Sequence, residues 1–148
     1  MVQATPLLLA LFLALGAHGL QGTEQCKLTG QWENDLGSNM TIYEVDGNGD
    51  FAGKYLTAVS DSPLKIEESP LLGSQQFPYL SQPTFGFTVH WTFSDSVTVF
   101  TGQCFVDEYG KEVLKTMWLL RSHVENIKND WKATRVGNNV FTRLQSQE

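Results

Sequence analysis

Histidine and cysteine are scarce in this chain, and their scarcity excludes most ways of building a reactive centre. The 148 residues contain 3 histidines and 2 cysteines. Outside the amino-terminal segment only His90 and His123 remain, and neither stands beside a nucleophile motif of the Gly-x-Ser-x-Gly type. Two histidines, with two cysteines that can pair with each other, are also too few ligands for a zinc site. The sequence therefore predicts a protein that is not an enzyme and has no metal or cofactor.

Basic charge is also in short supply. The chain has 10 Lys and Arg residues against 16 Asp and Glu, a net charge of -6, and both signs are scattered along its length. A nucleic-acid-binding surface needs clustered positive charge. We therefore expect no nucleic-acid partner, and the mild acidity mainly favours solubility.

Long apolar runs are missing everywhere except at the amino terminus. Pro6 to Leu15 is almost continuously apolar and is followed by small residues. This pattern is typical of a secretory signal peptide, and the run is too short to span a bilayer comfortably. We predict a signal peptide over residues 1–22, one domain over residues 23–148, and a secreted protein with no membrane partner.

In a secreted protein, the two cysteines predict a disulfide and one asparagine predicts a glycan. Cys26 and Cys104 both follow the predicted signal peptide, and an even number of cysteines in an oxidising compartment predicts a disulfide. The alternative is a pair of buried free thiols. Asn39-Met40-Thr41 is an acceptor sequence for N-linked glycosylation, so we expect a glycan on Asn39 if that residue is exposed.

Turn residues separate alternating or β-branched runs at short intervals along the rest of the chain. Eight strands are predicted in this way, over residues 30–34, 40–46, 51–59, 66–74, 84–93, 97–107, 112–121 and 133–142. Residues 123–131 match neither a strand nor a tight turn and predict a short helical turn. Consecutive strands with short loops indicate an all-β fold, an antiparallel up-and-down meander closed into a barrel, because closure removes exposed edges. Such a barrel has room for one small ligand.

The densest patterning lies in a predicted hairpin between Pro83 and Val106. Its first strand has large apolar side chains at every odd position, and after the turn at residues 94–96 the even positions face the same way. Together with the following strand, this face collects large apolar residues, namely Trp91, Phe93, Phe100, Trp118 and Leu120. Ordinary core packing would explain any one of them.

Polar residues accompany these rings, either with the same inward parity or at strand ends. They are Asn34, Ser38, Tyr55, Thr57, Ser94, Ser96, Thr98 and Asn139. A buried polar group without a partner costs about 1 to 3 kcal/mol. These groups therefore either pair with one another or line a cavity for a ligand with many polar atoms.

The seventh predicted strand is apolar on both faces. Leu114 and Trp118 share the inward face, whereas Val113, Met117 and Leu119 share the outward one. A barrel that stays alone should be polar outside, so the pattern predicts a subunit interface. Scattered surface hydrophobic residues are the alternative.

Several segments of the chain resemble the avidin family. The similar blocks are Gly30 to Ile42, Gln82 to Trp91, Val99 to Phe105, Gly110 to Ser122 and Asp130 to Gly137, and the similarity runs over essentially the whole mature chain. The resemblance implies a secreted homotetramer that binds biotin non-covalently and with high affinity, for sequestration or for storage and transport.

The same resemblance implies a role for each polar site residue. Asn34, Ser38 and Tyr55 would donate hydrogen bonds to the ureido oxygen of biotin. Thr57 and Asn139 would accept from the two ureido N–H groups. Thr98 would meet the thioether sulfur, and the loop at residues 60–62 would close over the ligand. The side chains implied at the valerate carboxylate are Ser60, Ser62, Ser94 and Ser96.

The apolar residues of the implied site form a box around the ligand. Its walls would be Trp91, Phe93, Phe100, Trp118 and Leu120. Trp131 would reach into the site from a neighbouring subunit, so that ligand binding and assembly would be linked.

Two residues depart from the family pattern in ways that bear on function. Asp61 brings a negative charge into the loop that would face the biotin carboxylate, and it would lower affinity if it pointed inward. Asn138 replaces an apolar residue beside Met117 and Val136, which the family packs across a dimer–dimer interface. A buried Asn there needs a partner or weakens that contact.

A lipocalin-like extracellular carrier of another small ligand is the alternative reading. Gly30-Gln31-Trp32 matches the short G-x-W pattern that opens the first strand of that class. A match of this length is weak evidence. The mature chain is also short for a lipocalin, and its hydroxyl-rich interior suits a greasy ligand poorly.

Overall fold

The strands form a closed sheet in the computed structural model, which describes residues 25–77 and 79–146. The predicted signal peptide at residues 1–22 lies outside these described residues. The strands are β1 (Gly30–Asn34), β2 (Asn39–Ile42), β3 (Asp50–Leu56), β4 (Ser69–Gln75), β5 (Thr84–His90), β6 (Val97–Val106), β7 (Glu112–Arg121) and β8 (Thr134–Arg143). A 3₁₀ helix, η1 (Ile127–Lys132), precedes β8 and matches the predicted helical turn.

Every strand pairs antiparallel with its neighbours in the chain, and β8 returns to pair with β1. Asn34 of β1 lies opposite Phe141 of β8 at this closing seam. The predicted eight-stranded antiparallel up-and-down barrel is confirmed. Closure places the first and the last strand side by side in one wall.

Five strands, β2 to β6, are shorter than predicted, and side-chain hydrogen bonds end two of them. β3 stops at Leu56, since the Thr57 hydroxyl donates to the carbonyl of Val59 over 2.7 Å and accepts from its N–H. Such local bonds compete with the sheet ladder. β5 stops at His90, and the Thr92 N–H is bonded to Ser69 Oγ instead. The segment between β3 and β4 is therefore a loop over the end of the barrel.

One end of the barrel is filled and the other is open. At the filled end, Trp32 is fully buried and the guanidinium of Arg143 stacks over its ring at 4.3 Å. Arg143 also donates to Glu112 Oε2 over 2.8 Å and to the carbonyl of Thr29 over 2.7 Å. Among the described residues, the open end is therefore the opposite one, where the β3–β4 loop lies.

The predicted disulfide between Cys26 and Cys104 is confirmed, with the two Cα atoms 5.7 Å apart. It ties the segment before β1 to β6 across a sequence separation of 78 residues. A chain-entropy account of so long a loop gives a stabilisation of about 4 kcal/mol.

The predicted alternation of faces is confirmed along β5, β6 and β7. Phe85, Phe87 and Val89 are buried, whereas His90 is exposed as expected. The outer wall carries a set of exposed apolar side chains, which we call the apolar outer face: Val97, Val99, Met117, Leu119 and Val136. Within the described residues, no helix is long and apolar enough to cross a membrane.

Candidate functional site

A cavity of about 350 Å³ opens at the loop end of the barrel. It is lined by every predicted ligand-contacting residue except Trp131: Asn34, Ser38, Tyr55, Thr57, Ser60, Asp61, Ser62, Trp91, Phe93, Ser94, Ser96, Thr98, Phe100, Trp118, Leu120 and Asn139. Barrel closure brings these residues together, because they come from β1, β3, β6, β7 and β8 and from the loops between strands.

Aromatic rings form the walls of this cavity. Tyr55 meets Trp91 edge-on at 5.4 Å between ring centroids and lies against Phe100 at 5.6 Å, and Phe93 continues the wall 5.8 Å from Trp91. Such rings exclude water and offer a large apolar contact area to a ligand.

Trp118 completes the wall only because its neighbour on β8 has no side chain. A Cβ at Gly137 would lie 2.2 Å from Trp118 Cζ2, far inside van der Waals contact. The indole N–H of Trp118 donates to Asn139 Oδ1 over 2.8 Å, which holds the ring at its inner edge.

Three hydrogen-bond donors meet at the inner end of the cavity. Asn34 Oδ1 accepts from the N–H groups of Leu36 and Ser38, so its amide nitrogen turns inward and donates to the Tyr55 hydroxyl over 3.2 Å. Ser38 Oγ accepts from the N–H of Ala58 over 2.9 Å. Because each oxygen accepts, the hydroxyls of Tyr55 and Ser38 keep their hydrogens as donors at this end of the cavity.

Burial strengthens the preference of Tyr55 for its neutral form. Removal of the phenol from water raises the pKa of Tyr55 far above its ordinary value, because the ionised form is disfavoured in a buried site. Tyr55 is therefore a neutral hydrogen-bond donor at any physiological pH.

Two acceptors face the same region from opposite sides. Thr57 donates its only hydroxyl hydrogen to the carbonyl of Val59, so it offers the cavity a lone pair. Asn139 donates from Nδ2 to Asp35 Oδ1 over 2.8 Å, which turns its carbonyl oxygen toward Trp118 and the cavity. Three donors beside two acceptors complement a ligand group with one oxygen and two N–H groups.

The outer half of the cavity is lined by hydroxyls that belong to loops. Ser62 Oγ donates to the carbonyl of Phe93 over 3.1 Å, which joins the β3–β4 loop to the β5–β6 turn. Ser60 Oγ accepts from the N–H of Ser62, and the hydroxyls of Ser94 and Ser96 bond each other. Deeper in, Thr98 Oγ1 accepts from the indole N–H of Trp91 over 2.8 Å.

Arg135, which the sequence analysis did not single out, carries the positive charge that pairs with Asp61. Its carboxylate forms an ion pair with the guanidinium of Arg135 at the rim, and both residues line the cavity. Asp61 is therefore paired at the rim, although both side chains of the pair are largely exposed to solvent. Arg135 shares inward parity with Gly137 and Asn139 on β8, so the strand pattern could have identified it. Leu36 and Val59, which also line the cavity, lie in loops where parity does not apply.

Trp131 lies away from the cavity of its own chain. It belongs to η1 and is 82% exposed. A large aromatic side chain so exposed contributes little to this barrel, and its implied contact with a second subunit stays a prediction.

The cavity holds no set of metal ligands among the residues that the structure describes. The one close group of potential ligands in that part of the chain is Cys26, Cys104 and Glu112, at the filled end of the barrel. Both sulfur atoms there belong to the disulfide and cannot act as thiolates.

Fold and cavity together define a small-ligand-binding β-barrel of the closed antiparallel type. The family model described as the Avidin family matches residues 22–144. Avidin of Gallus gallus is 61% identical over 152 residues, which cover 100% of this chain and 99% of that protein. Avidin-related protein 4/5 of the same species is 64% identical over 142 residues, covering 96% of this chain and 93% of the relative. The chain belongs to the avidin family.

Solved structures agree with this assignment. The X-ray structure of biotin binding protein from chicken superposes with a TM-score of 0.78 at 58% identity, covering 82% of this chain and 100% of that one. The crystal structure of Xenavidin gives a TM-score of 0.79 at 56% identity, again over 82% of this chain and 100% of the other.

Proposed function

We propose that this protein binds free biotin non-covalently and with high affinity. The observation that carries the proposal is the arrangement of three donors and two acceptors at the inner end of the cavity, since biotin presents a ureido group with one oxygen and two N–H groups. The name of the chicken biotin-binding structure supports the same ligand. Donors that reinforce one another in a dry site bind a developing negative charge on oxygen more strongly than they would singly.

Each part of biotin has a counterpart in the cavity. The ureido oxygen accepts from Asn34, Ser38 and Tyr55, and the ureido N–H groups donate to Thr57 and Asn139. Thr98 lies where the thioether sulfur packs among the rings. The carboxylate end meets the loop hydroxyls, which are those of Ser60, Ser62, Ser94 and Ser96.

Binding without chemical conversion is part of the proposal. Within the described residues, the cavity lining contains no histidine or cysteine, and both His90 and His123 are exposed elsewhere. A nucleophile would need a base within hydrogen-bond reach to be activated. Biotin is therefore held and released unchanged, and it is a ligand rather than a cofactor.

We further propose that the barrel works as a homotetramer. The apolar outer face is exposed in the single chain, with Val136 66% and Met117 56% accessible, and a contiguous patch of this kind is typical of an interface. Trp131 would then cap the cavity of a neighbour. Asn138 lies exposed in this face beside Met117, so the dimer–dimer contact carries a polar group that must be paired.

A secreted glycoprotein is the cellular form that we propose. The predicted signal peptide, the disulfide and the exposed Asn39 at the start of β2 all suit an oxidising extracellular environment. Sequestration of biotin and its storage or transport are two roles that the same site would serve.

Calorimetric titration of the secreted protein with biotin tests the ligand. We expect saturable heat and quenching of tryptophan fluorescence, because Trp91 and Trp118 line the cavity. Retinol and a long-chain fatty acid serve as matched competitors. Absence of heat and quenching at micromolar biotin, or tighter binding of retinol or the fatty acid, would contradict the proposal and favour the lipocalin-like carrier.

Light scattering and ligand release test the assembly. We expect a tetramer over a range of protein concentrations and a faster release of biotin from Trp131→Lys, with Lys132→Ala as the control in the same helix. An unchanged off-rate in Trp131→Lys would mean that no neighbour caps the site.

A further inference from the structure

Asn139, like Asn34, is a cavity residue whose side chain could face the ligand in either of two orientations. Its amide carries an acceptor oxygen on one side and a donor NH₂ on the other, and the two have nearly the same shape. Rotation by half a turn would replace the acceptor by a donor. The proposed biotin site needs the acceptor, so some other residue has to decide the orientation.

Two neighbours bond the amide of Asn139, and neither can reverse its role. The indole nitrogen of Trp118 can only donate, and it contacts Oδ1 over 2.8 Å. The carboxylate of Asp35 can only accept, and it contacts Nδ2 over 2.8 Å. A flipped amide would place hydrogen against hydrogen at Trp118 and oxygen against oxygen at Asp35.

Asp35 is itself held in place by β8. Its N–H donates to the carbonyl of Val140 over 3.1 Å, and its Oδ1 accepts from the N–H of Val140 over 3.3 Å. Asp35 follows the end of β1, so these bonds cross the seam at which the barrel closes. Asp35 does not line the cavity, and the family resemblance assigned it no role.

We propose that Asp35 is a positioning residue that sets the hydrogen-bond polarity of the ligand site through Asn139. The proposal rests on the proposed binding of biotin and adds to it a determinant of specificity. With the Asn139 oxygen held toward the cavity, the site accepts an N–H group of the ligand and rejects an oxygen at the same place. Trp118 supplies one constraint on the amide, and Asp35 supplies the other, which is the stronger because a carboxylate acceptor is charged.

Two cyclic carbamate analogues of biotin provide the test, each with oxygen in place of one ureido N–H. One analogue places its oxygen opposite Asn139 and the other opposite Thr57. In the unsubstituted protein we expect both to bind more weakly than biotin. In Asp35→Ala we expect the preference for biotin over the first analogue to fall by about tenfold, and the preference over the second to stay unchanged. Asp35→Asn keeps an acceptor oxygen, so its preference for biotin over the first analogue should lie between the preferences of the unsubstituted protein and of Asp35→Ala.

Asp107→Ala is the matched control. Asp107 also accepts two backbone N–H groups in a turn, those of Tyr109 and Lys111, but at the filled end of the barrel. It should change neither preference. An equal loss of affinity for biotin and for both analogues in Asp35→Ala would overturn the proposal, because a purely structural role of the turn predicts equal loss.

A measurement on the ligand-free protein separates this proposal from the biotin proposal. In nuclear magnetic resonance spectra we expect the Trp118 indole N–H proton to move upfield in Asp35→Ala, since its bond to Asn139 loosens, and not to move in Asp107→Ala. An unmoved resonance in both variants would overturn the positioning role whether or not biotin binds. Failure of the unsubstituted protein to bind biotin would overturn only the proposed function.

Discussion

The inner end and the mouth of the cavity are built in opposite ways. Inner groups such as Asn34, Tyr55 and Asn139 stand on strands, and their own hydrogen bonds fix which of them donate and which accept. The mouth consists of loop hydroxyls and one exposed ion pair, Asp61 with Arg135. A group on a strand is positioned by the whole barrel, whereas a loop group is positioned by a few local bonds. Affinity should therefore depend on the inner end, and the rate of exchange on the mouth.

The largest expected effect comes from removal of an inner donor. Tyr55→Phe removes one hydrogen bond to the ligand and leaves the Asn34 amide without its acceptor. We expect biotin binding to weaken by about 2 kcal/mol or more, and the double variant with Asn34→Ala to deviate from additivity because the two side chains share a bond. Competition calorimetry measures both values. Ser60→Ala at the mouth is the control, and an equal loss there would remove the distinction between the two regions.

A smaller effect is expected from filling the space behind the aromatic wall. In Gly137→Ala the new methyl group meets the rigid ring of Trp118, so the ring must shift. We expect a loss of about 1 to 3 kcal/mol in the free energy of unfolding, together with weaker binding. Gly47→Ala is the control, because a Cβ there meets nothing within 4 Å. Unfolding in denaturant and a biotin titration measure the two effects, and unchanged binding would show that Trp118 is not a wall.

The ion pair at the mouth should affect release more than affinity. Both partners are largely exposed, and such pairs contribute at most about 1 kcal/mol. We expect Asp61→Asn to speed biotin release by about fivefold or less, since the loop loses a tie to β8, and the difference to vanish at high salt. Glu68→Gln breaks the exposed pair with Lys54, which lies outside the cavity lining, and should leave release unchanged. If Asp61→Asn lowered the affinity for biotin more than Tyr55→Phe does, the mouth and not the inner end would determine affinity.

The smallest expected effect is on how the free energy of unfolding depends on pH, and it arises at the inner end of the cavity. The hydrogen bond from Asn139 holds the pKa of the Asp35 carboxyl below its ordinary value, and the Val140 N–H acts in the same direction. Because the pKa is lower in the folded than in the unfolded state, this stabilisation is present above about pH 4 and is lost as the pH falls below it. In urea unfolding between pH 2 and pH 7, the free energies of unfolding of the unsubstituted protein and of Asp35→Asn should converge as the pH falls. A constant difference would contradict the assignment.

The alternation of side chains along the strands can be predicted from the sequence. The pattern predicts that odd positions in β5 and even positions in β6 and β7 face inward, and Phe87, Phe100 and Leu114 are buried there. This prediction succeeds because the period of two is a local property of an extended chain. Strand ends are harder to predict, since β3 and β5 are ended by hydroxyls of Thr57 and Ser69 that bond groups in loops.

Periodicity cannot decide between core and cavity. Pattern alone leaves Trp91, Phe93 and Phe100 as either packed rings or walls around a ligand, and only the resemblance favours the second. Closure of the barrel leaves space between these rings because its circumference is set by the number of strands and not by the volume of the side chains. Arg135 shows the same limit, since its parity is visible in the sequence but its partner Asp61 is not.

Sequence by itself predicted the class of fold, the inward faces of β5, β6 and β7 and a disulfide between Cys26 and Cys104, because these follow from local periodicity and from the presence of two cysteines. The resemblance implied which polar atoms donate and which accept, but only the tertiary structure shows the neighbours that fix these roles. Thr57 became an acceptor through Val59, and Asn139 through Asp35 and Trp118. For Asn139 the polarity depends on Asp35, a partner that it meets only when β8 closes against β1, at a sequence distance that no local pattern records.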